Sequence, residues 1–192
     1  GHSRAMISSV LGFVFRRLCP VLAGGVLVAP MAAQALILVP ERDIPRLVSF
    51  GGACVGCDLS GRQLSGARFL GADFSDSILI GADLRDASLK GADFSRSDLS
   101  RSDLTGADIY GAEFDGARLK EIRLDSARIR GVSFTGSDLE GASLQGAMFS
   151  GVDLSGARNL RQEQLDAACA EGAVKLPKGM FLRACRRGRG AP

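Results

Sequence analysis

Ala72-Asp73-Phe74-Ser75-Asp76, Ser77-Ile78-Leu79-Ile80-Gly81, Ala82-Asp83-Leu84-Arg85-Asp86 and Ala87-Ser88-Leu89-Lys90-Gly91 are four consecutive blocks of one five-residue pattern. Each block has a large apolar residue at its centre and a small residue two places before it. The pattern runs outward from these blocks, from Cys57 to Gly156, without a missed step, and all twenty centres are Leu, Ile or Phe. The slot two before the centre holds Ala in eleven blocks and Ser in four. A polar or charged residue, most often Asp, usually fills the place between, and Gly ends fourteen blocks. A helix repeats every 3.6 residues and a strand every two. A period of five fits neither, so the chain reads as a stack of repeats rather than an ordinary packed domain.

A second period lies inside the first. Phe74, Phe94, Phe114 and Phe134 recur every twenty residues, as expected of rings stacked along one wall of a tube with four blocks per turn. The acids Asp98, Asp103 and Asp108 precede three successive centres, and twenty residues later the same places hold Arg118, Arg123 and Arg128. Lys120 and Glu140 repeat the relation, so inter-coil ion pairs are expected at each. A period of fifteen or twenty-five breaks both patterns. Five coils at the layer spacing of β structure make a rod about 24 Å tall. Its stability is a sum over neighbouring coils, with the ends as weak points. Gly at the block ends suits corners with positive φ. Three inward slots are oversized, Ile122, Val132 and Val152, and local widening is expected near Ile122. Arg62 also falls in an inward slot and is expected to reach out at the open end, because a buried unpaired charge is costly.

The blocks Ala72-Asp73-Phe74, Ala82-Asp83-Leu84, Ala92-Asp93-Phe94 and Ala107-Asp108-Ile109 follow the pattern Ala-Asp/Asn-Leu-X-X. In these the chain resembles the pentapeptide-repeat family over 100 of its 192 residues. The resemblance implies an all-β solenoid, a right-handed quadrilateral β-helix of about five coils, with the centre and the small residue of each block pointing inward. Residues 164–169 and 175–179 resemble the tails that follow the repeats in many bacterial members. Such a fold carries no function with it.

Four regions follow. Residues 1–5 read as a vector scar or gene fragment, and up to residue 35 the chain reads as a signal peptide: Arg16-Arg17, an apolar run from Leu18 to Met31, then Ala33-Gln34-Ala35 as a small-x-small cleavage site. Cleavage there starts the mature chain at Leu36. A start at Met31 would leave the protein cytosolic, and an uncleaved stretch from Leu18 to Val39 is long enough to anchor it in a membrane. Residues 36–56 form an N-terminal cap, with a short helix or turn at 43–50 contacting the tube through Ile44, Leu47, Val48 and Phe50. Residues 57–156 are the β-helix. In 157–192, Asn159 to Ala170 reads as an amphipathic capping helix, with Leu160, Leu165, Ala168 and Cys169 over the last coil, followed by a basic tail that is loose from Arg183.

Four cysteines follow the leader. Cys54-Val55-Gly56-Cys57 lacks the further ligands a zinc site needs and the βαβ context of a redox motif. In an oxidising compartment it reads as a disulfide bracket, which some members of the family with similar pairs carry. Cys169 and Cys185 are expected to tie the capping helix to the tail, since disulfide reach excludes pairing between the two ends.

Nothing in the sequence points to catalysis. The one histidine is His2, so neither a Ser-His nor a Cys-His pair exists after the leader, and no metal or cofactor is expected. Without Arg4, Arg16 and Arg17 the chain has 21 bases against 21 acids, while the twenty blocks hold 16 acids and 11 bases. Assigned by period twenty, the wall of Phe74 is acidic and the wall before it mildly basic. The match of Arg118, Arg123 and Arg128 to acids one coil earlier argues against a nucleic-acid stripe. The expected function is a non-catalytic scaffold that binds an unknown protein partner in the bacterial periplasm. Leu70, Ile78, Ile80, Tyr110 and Met148 are its candidate contact surface. The alternative, a cytosolic DNA mimic that binds gyrase, follows from what some family members do.

Overall fold

The structure is a computed structural model that describes residues 52–186. The leader, the expected helix or turn at 43–50 and the last six residues lie outside the described residues.

Backbone hydrogen bonds join residues one coil apart all along the repeat. Leu79 N–H donates to Asp98 O at 2.7 Å, and Asp98 N–H donates to Ser77 O at 2.9 Å. Parallel bridges pair residues twenty apart from Ala53 with Asp73 to Asp138 with Arg158. The chain is therefore a β solenoid with four blocks per turn. Four walls result, named by their central residues: the first by Leu59 and Leu79, the second by Leu64 and Leu84, the third by Phe69 and Leu89, the fourth by Phe74 and Phe94. Extended strands of the repeat occur on the last two walls. On the third wall β1 (Asp108–Tyr110), β2 (Arg128–Arg130) and β3 (Met148–Ser150) pair in parallel. On the fourth lies β4 (Val152–Asp153).

The large central residues and small inward residues fill the tube, and almost all are fully buried. Phe74, Phe94, Phe114 and Phe134 stack with centroids 5.1, 5.1 and 5.4 Å apart and planes within 12°. Phe69 meets Phe74 edge-on at 5.0 Å. Buried serines in the small slots each find an acceptor: Ser97, Ser102 and Ser137 donate to the carbonyls of Phe94, Leu99 and Phe134. A polar slot is therefore tolerated in a dry core. At Ile122, where widening is expected, the coil-to-coil ladder is unbroken, with Ser143 N–H donating to Ile122 O at 2.8 Å. The residues above and below it are Ser102 and Ala142, which leave room for the extra methyl groups. Arg123 N–H still reaches Ser102 O at 2.9 Å. Arg62 is half-buried.

Every block end from Gly61 to Gly151 has positive φ, including the six that are not glycine: Asp76, Asp86, Arg96, Arg101, Glu121 and Ser126. The corner thus demands a left-handed residue whatever the sequence supplies, and a side chain there is strained.

The C-terminal cap differs from the expected long helix. Only α1 (Gln162–Asp166) is helical; β5 (Cys169–Ala170) then joins β3, and β6 (Val174–Lys175) joins β4. Cys169 thus belongs to a strand, not to the helix. The backbone groups of the last coil have to be paired, and strands of the same pitch do so where a helix cannot. Leu160, Leu165 and Ala168 are buried over the last coil as expected. Where no strand follows, Gln164 donates from its amide to Leu139 O at 2.9 Å and Ala142 O at 2.8 Å. The start of the tail is also held, since Cys185 N–H donates to Ala170 O and Arg183 Nε–H to Ala168 O.

Two stability changes follow. Phe94→Ala, in the middle of the ring column, should cost about 3–5 kcal/mol. Glu121→Gly should gain about 1 kcal/mol, because relief of the left-handed strain exceeds the worth of one exposed ion pair. Chemical denaturation of each variant measures both.

Candidate interaction walls

The recurring Asp before each centre has a local role besides decorating the surface. In most blocks the residue after the centre presents an N–H that the coil-to-coil ladder leaves over. Asp73, Asp93, Asp98 and Asp103 accept it from Ser75, Ser95, Ser100 and Thr105 at 2.8–3.0 Å. Where Ser133 and Ser143 replace that Asp, an acid from the preceding coil substitutes: Asp115 accepts from Thr135 N–H at 3.2 Å and Asp125 from Gln145 N–H at 3.1 Å. Ser133 and Ser143 donate their hydroxyls to the same two carboxylates. In these blocks an acid serves the turn from either of two positions, whereas Gln63, Ile78 and Arg118 fill the slot before the centre elsewhere.

Cations neutralise much of this charge. Arg118 and Arg123 lie 3.6 and 3.4 Å from Asp98 and Asp103. The third expected pair is different: Arg128 is in register with Asp108, yet the cation at Asp108 is Lys90, at 3.2 Å. Lys90 stands in the preceding coil and its longer, flexible stem crosses the wall diagonally. Lys120 lies 2.7 Å from Glu140 and 3.5 Å from Asp138. The corner residues also pair, Arg96 with Asp76 at 2.8 Å and Arg101 with Glu121 at 3.1 Å.

Shifted titration marks the carboxyls with the strongest partners. Hydrogen bonds from Arg96 and Arg85 hold Asp76 and Asp83, respectively, below the usual carboxylate range. For Asp138, burial pushes upward, but Asn159, the Glu140 amide and Lys120 outweigh it. The Ser155 hydroxyl and amide, then Lys175, bring Asp153 down to about 2.

The five apolar contact candidates do not form one surface. Ile78 (42% exposed) and Ile80 (39%) flank Leu79 on the first wall, whereas Tyr110 (59%) stands on the opposite, third wall. Leu70 and Met148 share that third wall but are half-buried. Two more exposed apolar residues, Val55 and Phe181, are not signalled by the sequence pattern. Both lie outside the five-residue beat, so no period assigns them a face.

The ends are closed by sulfur. Cys54 and Cys57 are bonded, with Cα atoms 5.4 Å apart, and both are buried. Cys54 sits one coil before Phe74 at the foot of the ring column, and Ser77 Oγ–H donates to its carbonyl at 2.6 Å. Cys169 and Cys185 are bonded with Cα atoms 4.8 Å apart, which ties β5 to the tail where Ala184 bridges Ala170. No cluster of three or more metal-ligating side chains occurs among the described residues.

Two family models, both of pentapeptide repeats, match residues 54–91 with 82–120 and residues 114–158. No curated protein matches the chain. Among solved structures the chain is similar to QnrB1, a plasmid-mediated fluoroquinolone resistance protein, at 24% identity over 66% of this chain and 78% of that one, with a TM-score of 0.35. A pentapeptide repeat protein from the Arabidopsis thaliana thylakoid lumen is 32% identical over 56% of this chain and 71% of its own, with a TM-score of 0.27. HetL, involved in heterocyst differentiation regulation in Nostoc, is 25% identical over 69% of this chain and 67% of its own, with a TM-score of 0.26.

Asp153 yields a pH prediction. Its folded pKa lies below the unfolded value near 3.9, so its contribution is complete above about pH 4 and is lost as pH falls toward 2. Ser155→Ala should raise the Asp153 pKa toward the unfolded value. A carboxyl-detected NMR titration reads it directly, and an unchanged midpoint contradicts the assignment.

Proposed function

Since the chain belongs to the pentapeptide-repeat family, we propose that it is a rigid, non-catalytic scaffold of the bacterial periplasm, a right-handed quadrilateral rod of about five coils whose walls receive a protein partner. The observation that carries this reading is that all four cysteines among the described residues are in disulfides, one bridge at each end of the tube. Reduced thiols are the rule in the cytosol, and two structural disulfides fit an exported protein. The leader read in residues 1–35 agrees. The exposed Ile78 and Ile80, side by side on the first wall, are the partner contacts of this reading.

The gyrase-binding alternative requires a continuous acidic surface. Against it, Arg96, Arg118, Lys120 and Arg123 each lie on an acid of another coil, so charge alternates along the rod. Intact mass after cell fractionation tests the proposal. The expected species is periplasmic, starts at Leu36 and is four hydrogens lighter than the reduced chain, one pair for each disulfide. A reduced cytosolic chain overturns the proposal, and inhibition of gyrase supercoiling by that chain would establish the alternative.

A further inference from the structure

The third and fourth walls meet at one edge and carry opposite charge. On the third wall stand Arg68, Lys90, Arg128 and Arg130 against Asp108. On the fourth stand Asp73, Asp93, Glu113, Asp115 and Asp153, with Asp76 and its partner Arg96 at the far corner. Within the chain, Lys90 is shared with Asp108, Arg130 with Glu171 and Asp153 with Lys175, while Arg68 and Arg128 have no ion pair among the described residues. The edge between the two walls is formed by Gly71, Gly91, Gly111, Gly131 and Gly151; each of the other three corners carries at least two side chains.

We infer that these two walls bind further copies of the same chain, the basic wall of one against the acidic wall of the next, in a closed ring of four parallel rods. The geometry follows from the square section. Adjacent walls are a quarter turn apart, so placing the third wall of one copy on the fourth wall of the next rotates each copy by a quarter turn. Four such steps close, and an end-to-tail contact of this kind forms a ring where the rotation closes. The glycine edges of all four copies then meet at the centre, where no side chain obstructs them. The column nearest the edge on the third wall faces the column nearest the edge on the fourth. Lys90 thereby meets Asp93 of the next copy, and the exposed Tyr110 hydroxyl meets Glu113. In the outer columns Asp108, which carries Lys90, shares a layer with Asp115 of the next copy, and Arg128 lies one layer from that Asp115.

A second copy fits better than an unrelated acidic protein because both walls step by one β layer, about 4.8 Å. Charges at that spacing stay in register only against another solenoid of the same pitch. A single wall about 24 Å tall is also narrow beside the ~800 Å² that a stable interface buries per partner, and the ring makes every copy bury two walls. The first and second walls, with Ile78 and Ile80, remain outside. The ring does not depend on the compartment in which the protein resides.

Sedimentation or light scattering of the full chain at micromolar concentration tests it. The expected result is a tetramer at low salt that dissociates in about 1 M salt, where the screening length is about 3 Å. Lys90→Glu alone and Asp93→Lys alone should each be monomeric and still show the β circular dichroism of the fold, with a modest loss of stability where the Lys90–Asp108 pair or the Ser95 amide hydrogen bond to Asp93 is lost. An equimolar mixture of the two variants should recover the tetramer. When the two alternate around the ring, every contact between positions 90 and 93 again joins one acid to one lysine. A wild-type monomer or dimer, a tetramer indifferent to salt, or variants that do not complement each other would overturn the ring.

Discussion

The hydrogen-bond ladder between residues twenty apart is the constraint on which everything else depends. It demands that each turn of chain have the same length and the same outline as the next. That outline closes only if each block bends at a left-handed corner, which accounts for glycine at most block ends and for strain at Asp76, Arg96, Arg101 and Glu121. It also requires inward side chains whose volumes stack evenly. An Ile in a small slot is accommodated at position 122 because its neighbours along the column are Ser102 and Ala142.

The ladder explains the surface as well. It leaves the amide after most centres without a carbonyl, and in many blocks an Asp satisfies it, from its own block or from the coil before. Carboxylates are therefore written into the fold, and the arginines and lysines one coil away offset them. The third wall has the fewest acids in the slot before the centre, with Asp108 alone. Its cations Arg68, Lys90, Arg128 and Arg130 are in excess, and the fourth wall beside it carries the most acids in that slot.

The ends obey the same rule in a different way. Carbonyls and amides of a terminal coil have no next repeat to bond, so the chain supplies strands of equal pitch on two walls and the Gln164 amide on others. The disulfides hold these substitutes where the sum over neighbours is weakest: Cys54–Cys57 under the ring column, Cys169–Cys185 beside the last strand.

What the sequence determined by itself is everything periodic. The inward centres, the stacked phenylalanines, the length of a coil and two of the three acid–arginine pairings repeat often enough that a single misreading would break the pattern. Position along the chain there equals position in space. The tertiary structure decided what the period does not carry. Asp108 took Lys90 rather than Arg128, because a flexible side chain is free to cross between columns. The expected capping helix shortened to five residues, because open backbone groups of a β layer are paired best by more strand. The five apolar contact candidates divided between opposite walls. Tyr110 became exposed while Leu70 and Met148 were half-covered, since exposure depends on the neighbours in adjacent coils and not on the block that contains the residue.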